Sequence, residues 1–107
     1  MPVVNIEYDS SAVSAEDMQK LADATHEIVS RVTNIEDVPV YAHDANVKSH
    51  VAPVEIFIRL SAQKVEDADV LTTQLKQAFS DWKREQAYPH PINMTFIPMD
   101  WKIEIGI

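Results

Sequence analysis

Pro53-Val54-Glu55-Ile56-Phe57-Ile58-Arg59-Leu60 is the stretch on which the fold turns. Its even positions are all aliphatic, and its odd positions carry Glu, Phe and Arg. A period of two places those sets on opposite faces of a strand. Pro53 stands where no ladder N–H is needed, as the lead-in to a strand requires. The even face is expected to be covered by helices and the odd face to form the second side of the sheet.

Downstream, a helix is expected from about Glu66 to Glu85, with Ala68, Leu71, Leu75, Ala78, Phe79 and Trp82 inward. Pro89-His90-Pro91 stops it. Ile92 to Met99 reads as a strand, and Asp100 turns the chain into Trp101-Lys102-Ile103-Glu104-Ile105-Gly106-Ile107. That tail alternates strictly. So apolar an edge is expected to pair with another strand, in a neighbouring subunit.

Upstream, residues 43–52 read as a loop or short hairpin arm, and Val38-Pro39-Val40-Tyr41-Ala42 as a strand with proline at its start or edge. Before it, Ser14 is a good N-cap with Glu16 and Asp17 in the first turn. Met18, Leu21, Thr25, Ile28, Val29 and Val32 follow at helical spacing to Thr33-Asn34. Asp9-Ser10-Ser11 is a turn cluster. At the front, Met1-Pro2-Val3-Val4-Asn5-Ile6-Glu7-Tyr8 is a β-rich run that opens on proline.

The two halves match. The apolar positions of the first helix recur fifty residues later, and Pro2-Val3 recurs as Pro53-Val54. The chain is read as one α+β domain spanning 1–107, a pseudo-repeat of two β-α-β units at about 1–50 and 51–107. A four-stranded mixed sheet with both helices on one face follows, with Val54, Ile56, Ile58 and Leu60 against Leu21, Ile28, Leu71, Leu75 and Phe79.

Composition bounds function. The chain has 107 residues and a net charge of −8, from nine Lys+Arg against seventeen Asp+Glu. That balance argues against nucleic acid and against an anionic membrane as partner. No cysteine occurs, which removes disulfides and thiolate metal sites. The single glycine, Gly106, leaves no phosphate-cradling loop. No signal peptide or membrane span is legible, so a cytoplasmic protein is the expectation. His26, His43, His50 and His90 lack the regular spacing of a metal site; no metal and no cofactor is expected. Glu55 and Arg59 share the sheet's second face, where they either pair across subunits or serve a site. Trp82 and Trp101 read as packing residues.

A strand–helix–strand unit present twice, with Pro2 opening the first strand, resembles the tautomerase superfamily. That group includes 4-oxalocrotonate tautomerase, 5-carboxymethyl-2-hydroxymuconate isomerase and macrophage migration inhibitory factor. The resemblance covers nearly the whole chain. It implies a homotrimer and an isomerase that moves a proton in a small keto–enol substrate, one that bears a carboxylate. It also implies that Pro2, freed by removal of Met1, is the general base. A model α-amino group has a pKa near roughly 8, and an apolar pocket with a nearby cation favours the neutral, basic form. Arg59 is the expected cation, Lys48 the alternative, and Phe96 of the next subunit the pocket wall. Two features depart from the pattern. Val38-Pro39-Val40-Tyr41 holds no arginine, and Thr33-Asn34-Ile35-Glu36 holds no basic residue after the first helix.

The same order of elements also suits a ferredoxin-like binding or regulatory module, in which Pro2 has no role. A tautomerase-like trimer without catalysis is the third reading. Parallel β-α-β units separate the first from the second.

Overall fold

The central strands are chosen by burial. In the computed structural model, which describes residues 2–107, the chain runs β1 (Val3–Tyr8), α1 (Ala15–Thr33), β2 (Val40–Asp44), β3 (Val54–Ser61), α2 (Ala68–Gln86) and β4 (Asn93–Met99). A 3₁₀ turn, Ala62–Lys64, follows β3. Met1, whose removal the sequence reading invokes, lies outside the described residues. Along β3 every even residue is buried and every odd one half-buried. Burying an aliphatic side chain stabilises by roughly 1.5–3 kcal/mol. The whole β-propensity scale spans only about 1 kcal/mol. Face selection therefore sets the register.

The sheet order is β2-β1-β3-β4. β1 pairs parallel with β2, β3 parallel with β4, and β1 antiparallel with β3. Each half is thus a β-α-β unit with its two strands adjacent. This arrangement rules out the ferredoxin-like alternative, in which the strands of each unit are not parallel neighbours. Both helices lie side by side on one face of the four-stranded mixed sheet. Val4, Ile6, Val54, Ile56 and Ile58 meet Leu21, Ile28, Leu75 and Phe79 in the core, and Leu71 packs on it half-buried.

Local signals behave as the sequence predicts, with three differences. The Ser14 hydroxyl accepts from the Asp17 N–H at 3.1 Å and caps α1, and Asn34 closes it in the left-handed region. The first difference is in β2, which is paired from Val40 rather than Val38 and continues through His43 and Asp44, read from the sequence as loop. Val38 and Pro39 form an extended lead-in, whose Pro39 carbonyl accepts from the Val4 N–H at 3.0 Å. The second is the length of the repeat. Ala15 and Ala68 open the helices, and Val40 and Asn93 open the outer strands, one helical turn beyond the fifty-residue match of the helix faces. Part of the difference lies in β3, eight residues long against six in β1, since the connections to the two helices are equal in length. The third is the tail. Residues 101–107 carry no regular secondary structure, and Ile105 and Ile107 are exposed, at 77% and 107%. A strand needs a partner for its backbone groups, and the single chain offers the tail none.

Candidate active site

Pro2 is buried at the entry to β1. The ladders on either side fix its surroundings. Val3 pairs with Arg59 and Val4 with Ile58, while the Val4 N–H is held by Pro39. Continued by one residue, the register puts Pro2 between Val38 and Leu60, which are 3% and 1% exposed. The walls beside the ring are therefore aliphatic. The end of the sheet that carries Pro2 also carries the C-terminus of α1, the 34–39 loop, the 3₁₀ turn after β3 and the start of α2.

Arg59 comes to this same end, as the register partner of Val3. Its side chain lies on the helix-free face of the sheet. Arg59 Nη1 donates to Asn5 Oδ1 at 2.8 Å, and the guanidinium carbon stands 5.9 Å from the centre of the Phe57 ring. Guanidinium carries five N–H donors, so one bond to Asn5 leaves most of the fork available. Asn5 escaped the sequence reading. The signal was present, since asparagine is a poor strand residue yet stands in mid-strand among Val3, Val4 and Ile6.

Lys48 goes elsewhere within the chain, and Phe96 lies across β3 from Pro2. Lys48 Nζ sits 3.1 Å from Asp9 Oδ1 and donates to the Ala45 carbonyl at 3.1 Å. Asp9 follows the far end of β1, six residues of strand and about 20 Å from Pro2 at ~3.3 Å per residue. Two hydrogen bonds from Ser11, through its hydroxyl and N–H, and then Lys48 hold the Asp9 carboxyl below the usual range. Phe96 pairs with Ile58 and packs on the helix-side core of its own chain. The structure thus brings Pro2 and Arg59 to one end of the sheet, with Phe96 one register step from Arg59 but across β3 from Pro2, and leaves Lys48 at the other end.

The helix-free face is mixed, with Val3, Phe57 and Ile97 among its charged and polar residues. Glu7 stands directly opposite Glu55 across the β1–β3 ladder, a repulsive pairing. Each carboxylate has its own partner: His43 Nδ1 lies 3.6 Å from Glu7, and Asn93 Nδ2 donates to Glu55 at 3.0 Å. Glu55 and Arg59 accordingly do not pair within the chain. Two other histidines hold loops in place. His26 Nδ1–H donates to the Val38 carbonyl at 2.9 Å, and His90 Nε2 bonds Asp17 Oδ2 at 2.8 Å.

No family model and no curated protein sequence matches the chain. Solved structures do. A macrophage migration inhibitory factor-like protein from Entamoeba histolytica superposes with a TM-score of 0.66 at 15% identity, over 96% of this chain and 95% of that one. A 5-carboxymethyl-2-hydroxymuconate delta-isomerase gives 0.67 at 13% identity, over 99% and 89%. A malonate semialdehyde decarboxylase gives 0.69 at 7% identity, over 98% and 92%. The chain has the tautomerase-superfamily fold.

Proposed function

We propose that the protein is a tautomerase, an isomerase that moves a proton in a small carboxylate-bearing keto–enol substrate, with the amine of Pro2 as general base once Met1 is removed. The observation that carries this reading is the setting of Pro2: a ring at the mouth of β1, between aliphatic walls, at the strand end that also holds Arg59. Burial there denies the protonated amine its hydration and so favours the neutral form. It takes a proton from carbon or enol oxygen and returns it at the other position. Arg59 binds the substrate carboxylate or the developing enolate oxygen through the guanidinium donors that Asn5 leaves open.

The assembly we propose is a homotrimer in which the helix-free sheet faces surround an axis and residues 101–107 of each chain pair with a neighbour. Three exposed isoleucines on one alternating tail support it. Lys48 has a role only if a neighbour supplies it, since its own chain holds it away from Pro2, and Phe96 walls the pocket from a neighbour because β3 separates it from Pro2 in its own chain.

The test is ketonisation of phenylenolpyruvate, with the intact mass of the protein measured first. Wild-type protein lacking Met1 turns the substrate over, and Pro2→Ala loses about 10²–10⁴-fold in kcat. Arg59→Gln raises KM more than it lowers kcat if its contact is mainly to bound substrate. Full activity in Pro2→Ala, or a mass that retains Met1 in active enzyme, refutes the proline mechanism. A trimer with no turnover on any enol tested supports the scaffold reading instead.

A further inference from the structure

A groove lies away from the Pro2 end, between α2 and the start of β4. Its volume is about 500 Å³, within the range of small-molecule sites. Phe79, Ile92 and Met94 supply an apolar floor, and Lys76 and Lys83 stand on its rim. The lysines are seven residues apart on one helix, two turns, and so share a face. In an acidic chain four of the other basic side chains are drawn to carboxylates: Lys20 to Glu16, Arg31 to Glu27, Lys48 to Asp9 and Arg84 to Asp81. Lys76 and Lys83 instead line a cavity whose described lining contains no acid. The carboxylate next to it in the sheet, Glu55, is held by Asn93. Lys83 Nζ donates to the His90 carbonyl at 2.7 Å, which fixes its position and leaves two of its three donors.

We infer that this groove binds a small amphiphilic monoanion, an aromatic or medium-chain aliphatic carboxylate, with its apolar body on Phe79, Ile92 and Met94 and its anionic head on Lys76 and Lys83. Two ammonium groups above an apolar floor match that one class. A phosphate or sugar would leave the floor unused, and a cation would be repelled. The inference does not depend on Pro2 chemistry, since the groove lies on other elements.

The test uses the intact protein and 1-anilinonaphthalene-8-sulfonate, a fluorescent apolar anion, with decanoate as competitor. Wild type binds the probe, decanoate displaces it, and affinity falls as salt rises. Lys76→Met keeps the stem on an exposed helical site but removes the charge; it weakens both anions about tenfold. The same variant changes binding of neutral N-phenyl-1-naphthylamine less than twofold, and Lys76→Arg restores the anions. Amide shifts from 72–83 and 92–94 on decanoate addition place the ligand. Wild-type affinity for both anions in Lys76→Met, failure of decanoate to displace the probe, or shifts confined to other elements overturns the assignment. Probe binding that weakens as protein concentration rises gives the groove to a second copy of the chain, and overturns it as well.

Discussion

Tyr88 shows how much one residue beyond a helix can fix. Its hydroxyl donates to the Asp17 carbonyl at 2.9 Å. Its ring rests against Trp82, with centroids 4.9 Å apart, and against His90 at 5.2 Å. This ties the end of α2 to the start of α1. Burial, helped by the negative charge of Asp17, pushes the phenol up to about 12. The consequence for stability has a definite sign. In the unfolded chain the phenol ionises near its ordinary value of 10.0, whereas in the fold it stays protonated until about 12. Between those values the unfolded state binds fewer protons, so stability falls as pH rises. A spectrophotometric titration should place the ionisation of Tyr88 at about 12. Tyr88→Phe should cost about 1 kcal/mol at neutral pH, through the lost hydrogen bond. It should also flatten the alkaline decline seen by urea unfolding. An equal decline in both proteins would remove Tyr88 from the explanation.

At the scale of elements, the two helices are equal in length, 19 residues each, but not in quality of termination. α1 begins on a serine cap and ends on Asn34, a residue that tolerates the left-handed region. α2 begins well, since the Asp67 carboxylate accepts from the N–H groups of Asp69 and Val70. It ends on Ala87 at φ 50°, where a Cβ is unfavourable. Ser14→Ala should therefore destabilise by about 1 kcal/mol. Ala87→Gly should stabilise by about 0.5–1 kcal/mol, the relief at Ala87 exceeding the extra unfolded-state entropy of glycine. Thermal unfolding of the two variants, side by side, should move Tm in opposite directions. A lowered Tm for Ala87→Gly would show that the entropy term wins.

At the scale of the molecule, the open edges and the tail belong together. β2 and β4 are the edge strands, and the tail leaves from the end of β4 with Ile103, Ile105 and Ile107 exposed. Unpaired edges and an alternating apolar segment invite strand addition. In the proposed trimer, sedimentation of the full chain reports three copies at micromolar concentration. Deletion of 101–107 shifts the distribution toward monomer while far-ultraviolet dichroism of the folded core remains. A wild-type monomer would contradict the assembly, and an unchanged trimer after deletion would take the tail out of it.

What the sequence determined by itself is the set of faces. Val54, Ile56, Ile58 and Leu60 alternate on β3, and the 3.6-residue spacing of α1 and α2 allows one way to bury each stripe, so both helices had to cover the even side. The caps at Ser14 and the stop at Pro89 are equally local, because the groups that satisfy those helix ends lie within a few residues. Only the tertiary structure decided which chemical groups meet. Arg59 is 54 residues from Asn5 in the chain, and His90 is 73 from Asp17. No periodicity records such pairs, because each depends on the registers of separate ladders and on a loop folding back to a helix. Lys48 illustrates the converse. Its charge was legible, but its position at the far end of β1, against Asp9, followed from where the 45–53 loop returns to the sheet. Side-chain type and spacing report burial along one element, whereas a site is made between elements, where strand register and loop path set the distances.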